Sequence, residues 1–536
     1  MAQIKFRADI DTAEFPLLTD WAGRTALAPS AGEQQKPQPV STPQILFARN
    51  VLPTAQGFKS VSFGNLVPAA SPANLDFTDI ETVTDPAQNR ALVGITADSK
   101  IYLLTAASYV WVDVTPGGWG GGSKVTFGYV NGDTYLYLSQ FGCYRVDITG
   151  IALVATTLTA LVPTNILGIA SAVNYLLAYD NTTVYWGGTD SATSTDFTHS
   201  AITGAGSATP FDIAGKIAAI KQLNNGFAIY TTINIILASF SNNTLYPWVF
   251  RQANGSSGLV SGSQVAGNRE SGFHIALTYA GMLQVTPQGC TQITPEVADF
   301  LAAKIYESWN AGTNSIDSTA LSSNLITRLA LLGSRYVVVS YGISTLTDCL
   351  IYDLALKKYG TVSLTHVQCF EIETGTEPPI ATYAADAGTY AAASPQPYVD
   401  TSAGFNSPPV LGGNIGFLLA DGSTIECRLD YAATTGDAVL LLGKYQAVRS
   451  NMLELEEIEV ESIPTANTGF SLKVLPSING KDYGIAVSPA VVGGSSSGVG
   501  LRHYKIRCIA KNHTLVFLGS FNLTSVEITA TLGGHR

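Results

Sequence analysis

Residues 216–262, KIAAIKQLNNGFAIYTTINIILASFSNNTLYPWVFRQANGSSGLVSG, break into short apolar runs separated by Asn, Gly and Ser. The runs at 217–220, 227–231, 234–238 and 245–250 have the length and the Ile, Tyr, Phe and Trp content of β-strands. Asn224, Asn225, Gly226 and residues 241–243 supply turns between them. Four strands joined this way make an antiparallel meander, and a lone meander cannot bury both of its faces. The chain must therefore hold copies of the unit, or another layer that covers it.

Copies are present. Related meanders begin near residues 91, 124, 166, 273 and 325, at unequal spacings that bracket the roughly 40–50 residues of a four-stranded propeller blade. In the second, Asn131, Gly132 and Asp133 have the composition of a tight hairpin connection. An aromatic sits in or beside the middle strands of each unit: Tyr102, Tyr135, Tyr175, Tyr230, Tyr279 and Tyr336. These read as packing between blades and not as a ligand site. No Trp-Asp or kelch signature accompanies them. The expected fold is all-β, with an irregular β-propeller of about six blades over residues 44–373.

One segment breaks the strand pattern. Thr294 as cap, Pro295 in the first turn and Glu296 at the positive end predict a short helix with Val297, Phe300, Leu301 and Ile305 on one face. Such a helix would dock on the propeller rim or on an adjoining subunit.

Residues 1–43 form an expected N-terminal arm and linker, with a strand over 3–10 followed by the extended PSAGEQQKPQPVSTP, packing on something else. Residues 374–409, rich in Ala, Gly, Pro, Thr and Tyr, read as a linker. Residues 410–536 then carry eight expected strands, at 414–420, 424–430, 438–442, 451–461, 469–476, 503–510, 513–519 and 525–531, as a C-terminal β-sandwich or barrel. Within 451–462 the apolar parity flips from Leu453 and Leu455 to Ile458 and Val460, which predicts a β-bulge at Glu456 and Glu457. The glutamates of this strand read as a solvated or edge-guarding face in preference to a cation site.

Charged residues are 13% of the chain, about half the usual share, and the net charge is −11. A surface of uncharged polar groups suits permanent subunit contacts or a secreted protein, and composition does not separate the two. No basic run is long enough for tight nucleic-acid binding. The first residues lack the apolar core of a signal peptide, and no run reaches membrane-spanning length, so the expected setting is the cytoplasm with no membrane anchor.

No catalytic, cofactor-binding or metal constellation emerges from the residues, and no enzymatic function is expected. The stretch 494–498, GSSSG, matches GxSxG in letters but lacks the flanking strand and helix of a nucleophile elbow, and the glycine-rich run 117–122 lacks a following helix with a Lys. Cysteines 143, 290, 349, 369, 427 and 508 have no CxxC pairing and read as buried free thiols. His503 and His513 flank Cys508, but extended backbone would send these side chains to opposite faces.

Several segments together resemble the propeller-bearing nozzle or hub proteins in the tails of short-tailed bacteriophages: residues 49–61 (RNVLPTAQGFKSV), 125–147 (VTFGYVNGDTYLYLSQFGCYRVD), 217–258, 283–300 (LQVTPQGCTQITPEVADF) and 504–536. The likeness is one of order and local pattern over most of residues 45–536, with no catalytic residues to carry over. It implies a structural virion protein, made in the host cytoplasm and placed in the tail. As partners it implies further copies of itself in a hexameric ring, adaptor and fibre or spike subunits, and DNA that passes through the channel without specific binding. The alternatives from other classes are a glycan-binding propeller using Trp119, Trp186 or Trp248, and a glycan-cleaving propeller with carboxylates facing one another across its axis. The polar loop 251–262 is the expected place for contact with a neighbouring subunit.

Overall fold

The computed structural model describes residues 3–9, 44–65, 77–372 and 414–533, apart from 88, 106–109, 121–123, 242, 244–245, 260–261, 268–271, 303–304, 311, 314, 321–324, 333–334, 421–423, 429–437, 447–451, 463–468, 478–483 and 494–499. The expected linker 374–409, most of the arm and the 494–498 stretch lie outside the described residues.

Five consecutive meanders pair strand to neighbouring strand, spanning residues 77–113, 125–156, 168–208, 217–252 and 265–294. A sixth comprises Ile326–Leu332, Tyr336–Gly342, Leu346–Asp353 and Lys358–His366. Gln368–Ile372, Asn414–Leu418 and Thr424–Arg428 form a seventh, completed by Ser62–Asn65 from near the start of the chain. The apolar clusters between these sheets run in cyclic order. One joins the first sheet to the second through Val93, Leu103, Leu136 and Val146, and others follow in turn to the sixth and seventh, which share Val338, Ile351, Ile415 and Phe417. A last cluster sets Phe77, Tyr102 and Trp111 of the first sheet against Leu418 of the seventh. The ring closes on itself. The fold is a β-propeller.

The described residues thus give seven blades where the local pattern suggests about six. The strands at 414–418 and 424–428, expected in the C-terminal domain, complete the extra blade. The arm also has a different place. Gln3–Asp9 pairs antiparallel with Asn522–Gly533 of the same chain, Phe6 opposite Ile528, and so belongs to the second domain. Five of the six marker tyrosines are buried, whereas Tyr279 lies at a hairpin turn and is 67% exposed.

The second domain is a β-sandwich. One layer orders Ala490–Gly493, Gly500–Ala510, Met452–Ser462 and Asn522–Gly533; the other orders Gln44–Arg49, Val439–Gln446, Asn512–Gly519 and Phe470–Ser477. Between them lie Leu440, Leu442, Leu453, Leu455, Ile458, Val460, Phe517 and Ile528. The expected bulge is present: the register of Met452–Ser462 against both neighbours slips between Leu455 and Glu457. That slip is what lets Leu455 and Ile458 enter one core.

The two domains share a sheet. Hairpin strands Val51–Thr54 and Gly57–Ser60 connect the outer strand of the sixth blade, through Val51 opposite Thr361, to the sandwich, through Phe58 opposite Leu523. The expected helix forms over Glu296–Ala302 between the fifth and sixth blades, with Val297 buried and Phe300 and Leu301 packed on their shared core. Ile305 does not extend it; Ile305–Asn310 is a strand paired with Ser315–Ala320. Among the described residues no helix is long and apolar enough to cross a membrane.

Candidate functional site

First strands of neighbouring blades, such as Val125–Val130 with Gly168–Ala172 and Ile326–Leu332 with Gln368–Ile372, abut one another. Their polar side chains tie blades together, both adjacent ones and ones separated by a single blade. Arg328 of the sixth blade meets Asp79 of the first at 3.3 Å and also donates to the carbonyls of Thr78 (3.1 Å) and Val367 (3.2 Å). Gln368 of the seventh blade accepts from the Ile80 amide at 2.9 Å. Tyr129 donates to Glu81 at 3.1 Å and to the Thr82 carbonyl at 2.9 Å. Burial raises the Glu81 carboxyl above its ordinary range, against the pull of Lys221. Lys124 donates to the Ala218 carbonyl at 2.8 Å, and burial lowers its ammonium pKa. The two acids share one strand, two residues apart, and face cations. They do not supply the opposed carboxylates that a glycosidase needs.

Trp119, Trp186 and Trp248 are all buried. The Trp248 ring sits edge-on to Tyr175, Phe227 and Phe240 at 4.8–5.5 Å, and Trp186 Nε1 donates to the Gly204 carbonyl at 2.8 Å, so none presents a platform for a sugar. In the loop after the fourth blade, Leu259 is fully buried and its amide donates to the Thr231 carbonyl at 2.9 Å, while Arg251 and Gln252, at the end of the blade's last strand, face solvent. The glutamates of Met452–Ser462 are engaged across the sheet: Glu454 with Arg507 at 2.9 Å, Glu459 with His503 at 3.0 Å, and Glu461 with Ser525 at 2.8 Å. His503 lies on that outer face, whereas Cys508 and His513 are buried, so the three are not brought together.

All six cysteines are free thiols, five of them buried and Cys290 partly so. Each taken singly has the features of a core thiol, yet two of them meet a histidine. Cys349 lies on the third strand of the sixth blade, His366 ends its fourth strand, and Cys369 lies on the first strand of the seventh. Their Sγ, Nε2 and Sγ atoms lie within 4.8 Å of one another. Ser340 Oγ is 2.8 Å from His366 Nε2, 3.3 Å from Cys349 Sγ and 3.4 Å from Cys369 Sγ; Cys349 Sγ is 3.5 Å from His366 Nε2. None of the four residues is more than 5% exposed.

His366 Nδ1 is 2.7 Å from the Leu364 carbonyl, which can only accept. Nδ1 therefore carries a proton, and Nε2 turns its lone pair, or a second proton, into the cluster. Burial works to raise the Cys369 thiol, but hydrogen bonding from Cys349 and the charge of His366 outweigh it and hold the thiol down. Burial pushes the Cys349 thiol up. A thiol beside an imidazole has the chemistry of a nucleophile or of a metal ligand. Enclosure between two blades favours the second, because a nucleophile must meet its substrate. The one local sign in the sequence is the His-x-x-Cys spacing of 366 and 369; Cys349 and Ser340 reach the same point only through strand pairing.

The chain is similar to several solved propellers. It resembles the WD40 repeats of RRP9 at 10% identity and a TM-score of 0.34, over 57% of this chain and 87% of that one. The WD40 β-propeller domain of Doa1 gives 8% and 0.35, over 69% and 97%. YCF48 bound to D1 peptide gives 8% and 0.37, over 68% and 96%. No protein-family model and no curated protein matches the chain. The propeller assignment rests on the strand pairing and the closed series of cores.

Proposed function

We propose that this chain is a structural virion protein, a nozzle or hub subunit in the tail of a short-tailed phage, that assembles with further copies of itself in a ring around the path of the genome. The observation that best supports this reading is the free edge of the sandwich. Strand Ala490–Gly493 ends its sheet and pairs on one side only among the described residues. On it Val491 and Val492 are 66% and 55% exposed; Ile485 lies exposed in the segment before it, and Leu501 and Ile509 on the strand beside it. Monomers guard such an edge with charge, proline or a covering loop. An apolar one suits a permanent neighbour, and a second copy of the chain satisfies both the unpaired backbone and the side chains. The outer face of the same sheet sets the acidic strand Met452–Ser462 beside Lys505 and Arg507, a mixed pattern that can complement its own copy.

The shared sheet suits the role mechanically, since it makes propeller and sandwich one body. The net charge of −11 suits a wall that DNA passes without sticking, because each neutralised phosphate would add affinity. Adaptor and fibre or spike subunits, synthesis in the host cytoplasm and a role without catalysis belong to the same proposal. The test is electron microscopy and light scattering of the purified protein, alone and with tail particles lacking it. A symmetric ring with a central bore is expected, abolished by Val491→Lys with Val492→Glu while the monomer stays folded. A wild-type protein that stays monomeric and fails to join tails would refute the reading. A glycan array that binds above background would replace it with the recognition of host sugars.

A further inference from the structure

We propose that Cys349, His366 and Cys369 form a structural zinc site, with Ser340 Oγ at the fourth corner, that fastens the sixth blade to the seventh. The geometry carries the argument. In a tetrahedral site with Zn–S near 2.3 Å and Zn–N near 2.0 Å, sulfur and nitrogen stand about 3.5 Å apart and two sulfurs about 3.8 Å. Cys349 Sγ and His366 Nε2 are 3.5 Å apart, and the three donors lie within 4.8 Å of one another. Ser340 Oγ lies 2.8–3.4 Å from all three, spacings close to those between the ligand atoms of a tetrahedral ion.

The orientation of the imidazole points the same way. With Nδ1–H fixed on the Leu364 carbonyl, Nε2 is the nitrogen left for the metal, and a backbone carbonyl is a usual outer partner of a zinc-bound histidine. Charge agrees too. Two thiols release two protons as Zn²⁺ binds, leaving two thiolates, a neutral imidazole and a serine hydroxyl around a dication. The site is then neutral, which suits its burial beside Val338, Ile351, Ile415 and Phe417. Thiolate with imidazole selects zinc over magnesium or calcium.

The location gives the site a purpose. The seventh blade draws its outer strand from Ser62–Asn65 and its middle strands from beyond residue 413, so no short hairpin joins its first strand to the rest. Cys369 is on that first strand. A metal bond to the finished sixth blade would hold it in register while the remaining strands arrive. The inference is independent of any role in a virion.

The test uses the full chain, expressed with zinc and desalted before metal analysis. About one zinc per chain is expected, falling at least about tenfold in Cys349→Ser and in Cys369→Ser but not in Cys143→Ser, which alters a buried thiol of the second blade. Because the first two variants can misfold, wild-type protein exchanged into Co²⁺ supplies a second reading: thiolate-to-cobalt charge-transfer absorption and the intense visible bands of a tetrahedral ion are expected. Zinc at background with no such bands, or a Cys349–Cys369 disulfide seen by mass spectrometry of the purified protein, would overturn the proposal.

Discussion

His274 makes the stability of the fourth and fifth blades dependent on pH. Its ring is buried between them: Nε2 lies 2.6 Å from the Gln222 carbonyl and Nδ1 2.7 Å from the Tyr230 hydroxyl. The carbonyl must accept, so Nε2 carries the proton and Nδ1 accepts from Tyr230. A second proton on Nδ1 would face the tyrosine's own, in a site without water access and near Lys221. Burial first, with Lys221 adding to it, drops the imidazole from its usual 6.5 to about 4, against the Gln222 hydrogen bond. The sign follows from linkage: between these values the unfolded chain takes up a proton that the folded chain refuses, so stability is full above pH 6.5 and falls as the pH drops towards 4. The whole shift corresponds to about 3 kcal/mol, of which about 2 kcal/mol is lost by pH 5. The assay is denaturant unfolding of wild type and His274→Gln at pH 7, 6 and 5. The variant is the less stable at pH 7, and the gap is expected to narrow by about 2 kcal/mol at pH 5, other titrating groups being common to both. A gap constant to within about 0.5 kcal/mol, or an NMR titration that puts His274 above pH 6, would refute the reasoning.

Two further perturbations test the joints of the fold. Asp353 is fully buried and accepts from Arg335 Nε at 3.0 Å and Nη2 at 2.9 Å, with its other oxygen held by the amides of Ala355 and Leu356. Arg335→Met leaves that carboxylate without its cation and is expected to cost about 3 kcal/mol in thermal or denaturant unfolding, whereas a surface pair such as Lys100 with Asp113 is worth under about 1 kcal/mol. Gly360 lies where the sixth blade meets the hairpin to the sandwich, and a Cβ there would stand 2.6 Å from the Val51 carbonyl oxygen and 2.7 Å from Leu52 Cδ2. Gly360→Val is expected to cost about 1–3 kcal/mol by overpacking and to open residues 51–60 to limited proteolysis; unchanged cleavage would show that the hairpin does not depend on this contact.

What the sequence revealed of the fold follows the range of each signal. Asn131 and Gly132 adopt φ of 52° and 87° between paired Val130 and Asp133, because a two-residue hairpin needs a left-handed backbone and these residues accept it. The parity flip around Glu456 marked a bulge for the same reason: side-chain alternation is written into adjacent residues. The inner strand of the first blade, FTDIETVT, is hidden from a period-two reading because its buried Phe77, Ile80 and Val83 sit three residues apart, out of step with strand alternation; a register slip lies between Phe77 and Asp79. The strands of the seventh blade at 414–418 and 424–428 are legible locally, but their grouping into a blade is not. Its outer strand and its middle strands lie at opposite ends of the chain, and their pairing, Cys427 opposite Phe63, is decided by closure of the ring.

The same limit explains the candidate site. Cys349 and Ser340 face one another because two adjacent strands of the sixth blade pair in that register. Cys369 joins them only because the seventh blade packs on the sixth. Each residue taken singly fits the description of a core thiol or a core hydroxyl, and the burial bears that out for all three. What singles them out is convergence on one histidine whose other nitrogen is already occupied. A polar cluster of this kind in an apolar interface is costly unless every donor and acceptor is matched, and a single serine hydroxyl shared among two thiols and an imidazole cannot donate to all of them at once. A dication at the centre would replace that competition with four simultaneous bonds, so binding a metal would stabilise the joint between the sixth and seventh blades.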